Sequence, residues 1–343
     1  TVVEELTGRP APELVFANSR DYAYALTLLD PRSASALERD IGSVRDPFLR
    51  AMLWGAMWDL VREALVAPER FMRMALRELP RERDEQIVSG IVGRLSRATS
   101  AYLSPVSRDA FLPDVERTLL AGANRAESPY GIRKAHFDAW VRVASTGSTM
   151  DQMVTMLDSA SVAGEPLRPP TRWAMITRLM AVGHPASDSL LVLERARDRS
   201  AEGVRRAFVA GAARPNAATK RDYFERYFAD STLNEDWATA SLEGFNALES
   251  QSLSLPYLTP ALDSLPWIQR NRRIFYVGAW IGSFVEGQSS DTALATVRAF
   301  LEKRQELPLD LRLKVLQSVD ELERTVRIRR TFGIAAPSAS PDH

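Results

Sequence analysis

Apolar residues at helical spacing run through this chain almost without a break, and proline stands at the edges of the stripes as punctuation. Asp46-Pro47 is an N-cap followed by proline at the first helical position, where a missing N–H costs nothing. The helix it opens carries Phe48, Leu49, Met52, Leu53, Ala56, Met57, Leu60 and Val61 along one stripe, and Trp54 and Trp58 widen it. So broad an apolar face suits a helix packed on two sides. Pro68, Pro129 and Pro308 repeat the device, with Ser128 as a cap before Pro129, and Gly183 stands where a helix C-terminus wants a left-handed residue.

The whole chain yields about sixteen helical segments, each roughly 12 to 24 residues long, with short connections. Two consecutive helices take about 40 residues, and that unit recurs without a clear sequence repeat, the spacing of HEAT-like helical pairs. The expected fold is all-α, a curved right-handed α-solenoid over residues 31–332. Only residues 1–30 read as strand, with Tyr22, Tyr24, Leu26 and Leu28 facing one way. Two orphan strands cannot form a stable sheet alone, so they are expected to be the last strands of a β-sandwich that is cut short. Residues 333–343 are expected to form a disordered tail.

Composition removes several function classes. The 343 residues are 45% hydrophobic, ample for a core, and no apolar run approaches a membrane span. The 44 basic residues match 44 acidic ones, where a nucleic-acid binder usually carries a basic excess. All but four of the basic residues are Arg, which fits a GC-rich bacterial genome, with selection for carboxylate-binding forks as the alternative. With no cysteine there is no disulfide, thiolate metal site or cysteine nucleophile. The bacterial cytoplasm and the periplasm both stay open, and TVVEELTG shows no signal peptide. No phosphate loop, G-x-S-x-G elbow or DDxxD motif is present.

Several short patterns occur in a telling order. Ala17-Asn18, Tyr22 and Tyr24 are followed by Asp30 and Ser33, then by Arg50, Trp54, Trp58 and Asp59 in an R-x-x-x-W-x-x-x-W-D helix. Further on come Arg172-Trp173 with Ile176, Arg178-Leu179 and Gly183, then AGAARPNAATKRDYF from Ala210 to Phe224, and near the end Asp320 to Arg324 and Arg327 to Arg330. In that order they resemble the C-terminal helical domain, endoplasmic reticulum aminopeptidase-like and HEAT-like, of the aminopeptidase N family of zinc metallopeptidases. The resemblance implies a non-catalytic part of a peptidase. Its partners would be the catalytic zinc domain of the same polypeptide and peptide substrates. Zinc is expected in that absent domain and no cofactor in this chain.

The family's catalytic strings, HExxH, a third-ligand Glu one helix later and G-x-M-E-N, do not occur. A catalytic zinc needs three protein ligands converging on one point, and the only histidines are His136, His184 and His343. His136, near Trp140, reads as a half-buried helix residue, and His184, after the helix-ending glycine, as a turn residue. Arg270, Arg272 and Arg273, just after Trp267, could offer guanidinium forks to a peptide's C-terminal carboxylate, or simply decorate a helix end. Arg133 and Lys134 beside His136 have the same two readings. The methionines, Met52, Met57, Met72, Met74, Met150, Met153 and Met156 among them, read as core filler, with an adaptable peptide surface as the alternative. Two functions remain: the access-limiting C-terminal domain of a bacterial zinc aminopeptidase, or a free-standing HEAT-like scaffold for a protein partner. A third, an α/α-barrel hydrolase, lacks a motif.

Overall fold

A computed structural model describes residues 7–162, 165–230 and 232–333. The described chain is helical from Pro31 to Phe332, apart from one antiparallel pair of two-residue strands, β1 (Ser161–Val162) and β2 (Glu165–Pro166). Two compact units divide it: residues 7–99 and 103–139 with 331–333, and residues 100–102 with 140–330.

The first unit is built from α1 (Pro31–Asp40), α2 (Pro47–Arg62), α3 (Pro68–Glu78), α4 (Glu85–Arg97), α5 (Pro105–Ala123) and the start of α6 (Tyr130–Val143). Its helix starts are chemically explicit. The Asp30 carboxylate accepts from Arg32 N at 2.9 Å and Ser33 N at 3.0 Å, Asp46 accepts from Phe48 N at 2.9 Å, and Asp84 accepts from Gln86 N and Ile87 N. Each satisfies N–H groups that the first turn leaves without partners. Around α3, which packs on α1, α2, α4 and α5, the buried side chains include Phe71, Met72, Met74 and Ala75. Between α4 and α5, residues Ala98–Tyr102 widen into a π-turn.

The second unit holds α7 (Gly147–Ser159), α8 (Pro169–Val182), α9 (Ser187–Arg197), α10 (Ala201–Ala212), α11 (Ala217–Ala229) and α12 (Glu235–Phe245). It continues through α13 (Gln251–Ser254), α14 (Leu258–Asp263), α15 (Leu265–Asn271), α16 (Ile274–Val285), α17 (Asp291–Lys303) and α18 (Leu309–Phe332). Its core is aromatic. Trp280 on α16 meets Tyr227, Phe228 and Phe284 at ring distances of 5.8, 5.5 and 4.6 Å, and its indole N–H donates to Ala261 O at 3.0 Å. Gly183 ends α8 at φ 73°, and His184 N reaches back to Leu179 O at 2.9 Å, the left-handed closure that the sequence predicts.

Two details differ from the sequence-based expectation. Residues 251–271 form three helices of 4, 6 and 7 residues. Pro256, Pro260 and Pro266 there each remove a backbone donor, and these segments fall short of the expected length of roughly 12 to 24 residues. Helices α6 and α18 begin one residue beyond Pro129 and Pro308, whose carbonyls accept from Arg133 N at 3.1 Å and Arg312 N at 2.9 Å. The reading of residues 1–30 as the last strands of a larger sheet falls partly outside the described residues and is not tested by residues 7–30. Tyr22, Tyr24, Leu26 and Leu28 are 86%, 111%, 58% and 44% exposed. The expected tail, beyond residue 333, lies outside the described residues.

Candidate functional site

The motif residues are held by polar contacts that lock helices together. Arg50, at the head of the R-x-x-x-W-x-x-x-W-D pattern, grips Glu82 with two hydrogen bonds of 2.8 and 2.9 Å and donates to Val44 O at 2.6 Å. Burial raises the Glu82 pKa, yet the bonds from Arg50 and from the amides of Asp84 and Arg83 together hold its carboxyl below the ordinary range. Four residues on, Trp54 sets its ring edgewise on Phe71 at 5.7 Å, and Trp58 meets the same ring at 5.0 Å.

The R-W pair works the same way in the second unit. Arg172 and Glu194 are both buried and joined at 2.8 to 2.9 Å, and the guanidinium also donates to Leu157 O at 2.9 Å. Trp173 donates its indole N–H to Asp198 at 2.9 Å. Arg178 bridges Ala144 O and Glu249, each at 2.6 Å. In the A-A-R-P-x-x-x-x-K segment, Asn216 caps α11 and Lys220 is fully buried. Its amine donates to Ala212 O at 2.8 Å and Gly244 O at 3.2 Å, at the C-terminal ends of α10 and α12, and lies 5.2 Å from the Phe245 ring centre. Burial pulls its pKa down to about 7.

The basic residues singled out as substrate contacts are placed differently from one another. Arg272 turns inward: it donates to Tyr227 O at 2.8 Å, and its guanidinium lies 5.6 Å from the Trp267 ring and 5.5 Å from the Tyr276 ring. Arg270 and Arg273 are exposed, and their side chains have no ion pair or hydrogen bond among the described residues. The Arg273 amide donates to Glu235 at 3.0 Å, which fixes the turn before α16. Lys134 pairs with Asp138 one turn along α6, and Arg133 is half-buried with Nε unpaired. Trp267 and Tyr276 flanking Arg272 are the signal that could have separated it from its neighbours in the sequence.

His136 is buried at 3% exposure, its Nδ1–H bonded to Ile132 O at 2.9 Å, and burial lowers its pKa. His184 accepts from Ala186 N at 3.2 Å and stands 3.4 Å from Asp151, a turn role. His343 lies outside the described residues. Among the described residues, no three His, Asp or Glu side chains converge as a metal-ligand group. Met57, Met72, Met74, Met150 and Met153 are at most 3% exposed, so they fill core. The sequence did not reveal an open cavity of about 410 Å³ in the first unit, lined by Arg39, Arg50, Trp54, Glu78, Arg81 and Glu82 among others. Its acids Glu78 and Glu82 already hold arginines, and Asp40 lies 3.7 Å from Arg39.

Fold and contacts together define a helical domain in which buried polar groups tie neighbouring helices together. The chain belongs to the ERAP1-like C-terminal domain family, whose model matches residues 14–324. It is also 27% identical over 339 residues to aminopeptidase N of Streptomyces lividans, covering 98% of this chain and 39% of that protein. The chain therefore spans well under half the length of the curated relative it matches.

Proposed function

We propose that this chain is the non-catalytic C-terminal domain of a bacterial zinc aminopeptidase. Its helix pairs form a HEAT-like solenoid against the catalytic zinc domain of the same polypeptide, cap the active-site cavity and limit which peptides reach the metal. The observation that carries this reading is the family match over residues 14–324. The exposed Tyr22, Tyr24, Leu26 and Leu28 support it, since large apolar side chains left open to water suit a surface covered by a further part of a protein.

Within that role Arg270 and Arg273 hold the far end of a peptide, because a free carboxylate is the feature every linear peptide presents there and both guanidinium groups are unoccupied. Replacing both by Ala in the complete enzyme, with Arg272 kept for its packing on Trp267 and Tyr276, tests the reading. The Michaelis constant for short peptides should rise about tenfold, equivalent to about 1.4 kcal/mol. Single-residue chromogenic substrates should be nearly unaffected. Equal losses on both substrate types make the pair structural, and unchanged peptide kinetics remove it as a contact.

A further inference from the structure

The open cavity of the first unit, about 410 Å³, falls in the size range of small-molecule sites, roughly 300 to 1,000 Å³. Its walls carry four arginines, Arg39, Arg50, Arg81 and Arg83, against three acids, Asp40, Glu78 and Glu82. Much of this charge is engaged internally. Arg50 and Glu82 satisfy each other through two hydrogen bonds, and Glu82 also accepts from the amides of Arg83 and Asp84. Arg39 reaches Glu13 at 2.9 Å and Asp40 at 3.7 Å, and Arg83 donates to the carbonyls of Pro80 and Glu82 at 3.1 Å.

Three groups keep unused capacity. Arg81 has a side chain 72% exposed, and its one acid among the described residues, Glu78, lies 3.7 Å away at Oε1. Glu78 is buried; Oε1 accepts from Arg77 at 2.6 Å, while Oε2 has no hydrogen-bond partner among the described residues. Oε2 lies against Gly42, where a Cβ would sit 2.6 Å from it. Trp54 is 1% exposed and its indole N–H has no acceptor among the described residues. That nitrogen is not sealed from solvent, so it opens onto the cavity that Trp54 lines.

We propose that this cavity binds a free α-amino acid, with Glu78 Oε2 receiving the ammonium and Arg81 and the Trp54 N–H receiving the carboxylate. Unused groups of both signs, in walls of nearly balanced charge, select a ligand that itself carries both. A simple anion would meet Glu78 and Asp40, and a simple cation would meet Arg81; a zwitterion finds opposite charge at each end. Arg81 and Glu78 stand side by side, as do the two charges of an α-amino acid. Gly42 keeps Oε2 uncovered, since any side chain there would lie on it. The ligand follows from the lining alone; its use, sensing the product that an aminopeptidase releases, rests on the function proposed above.

Calorimetric titration of the chain with L-leucine tests the site. Saturable binding of one leucine per chain is expected. Leucinamide, which lacks the carboxylate, and N-acetylleucine, which lacks the ammonium, should each bind about tenfold more weakly, equivalent to about 1.4 kcal/mol. R81Q should weaken leucine about tenfold and leave leucinamide unchanged. Because Arg81 is exposed and only loosely paired, its thermal midpoint should stay within about 2 °C of wild type. E78Q should weaken leucine and leave N-acetylleucine unchanged; should E78Q fail to fold, R81Q still decides. The proposal is overturned if leucine at about 10 mM gives no saturable heat, if leucinamide binds as well as leucine, or if R81Q leaves leucine binding intact. Inorganic phosphate binding as tightly as leucine, and lost in R81Q, marks a simple anion site and overturns it too. None of these titrations reads catalysis, so a complete polypeptide without aminopeptidase activity would refute the functional reading and leave the amino-acid site standing.

Discussion

Lys220 shows how one side chain can join three helices. An ammonium or amine between the carbonyls of Ala212 and Gly244 ties the ends of α10 and α12 to α11, with no carboxylate bonded to it. Because burial lowers its folded pKa to about 7 while the unfolded chain titrates near the ordinary lysine value, the unfolded state binds the extra proton between them. Raising the pH removes that advantage, so this residue should make stability increase from about pH 7 toward pH 10, at up to about 1.4 kcal/mol per unit. Below pH 7 both states are charged and the penalty is constant. Denaturant unfolding of wild type and K220M across that range checks this: the wild-type minus K220M difference should climb with pH, and a flat difference shows that the helix-end carbonyls keep the ammonium charged. The sequence displays the lysine inside a recognisable segment, but not the two carbonyls, since Gly244 lies 24 positions away. Arg172 poses the same difficulty. Its motif is visible, yet nothing local selects Glu194, 22 positions on, from the other acids.

Helix beginnings and ends were the most legible elements because their chemistry is local. Asp30, Asp46 and Gly183 act within a few residues of themselves and appear in the structure as caps. The proline-rich stretch from 251 to 271 was less legible, because where each short helix stops depends on packing against α16 and α17. Helix pairing also assigns places to small residues. Gly122 on α5 faces the buried His136 ring on α6, and a Cβ there would lie 2.2 Å from ring Cδ2. G122A should therefore destabilise the protein by about 2 kcal/mol in urea unfolding, since the ring has to move within a packed interior. H136A should relieve part of that loss, so the double variant should be less unstable than the sum of the single ones. Strict additivity would show that the ring already has room to shift.

At the scale of the whole molecule, the order of the motifs carried the family resemblance before any contact was visible, while the candidate basic residues did not separate. Arg270, Arg272 and Arg273 look equivalent in sequence, and only the rings of Trp267 and Tyr276 distinguish the middle one. As a domain without HExxH, the chain alone should hold no stoichiometric zinc and release no product from aminoacyl reporters. One tightly held zinc per chain, with hydrolysis that a chelator stops, would contradict this.

The segment from Tyr22 to Leu28 carries a practical consequence for anyone handling the protein. Four large apolar side chains exposed within seven residues form a surface on which another copy of the chain can associate. Solutions of the chain alone should form larger species as concentration rises, measurable by light scattering, and Tyr24→Lys should suppress them while leaving the helical circular dichroism unchanged. A monodisperse monomer at high concentration would mean that the neighbouring polar groups already shield the segment. Otherwise solubility, before any question of catalysis, is what four exposed apolar side chains in one short segment would cost this domain.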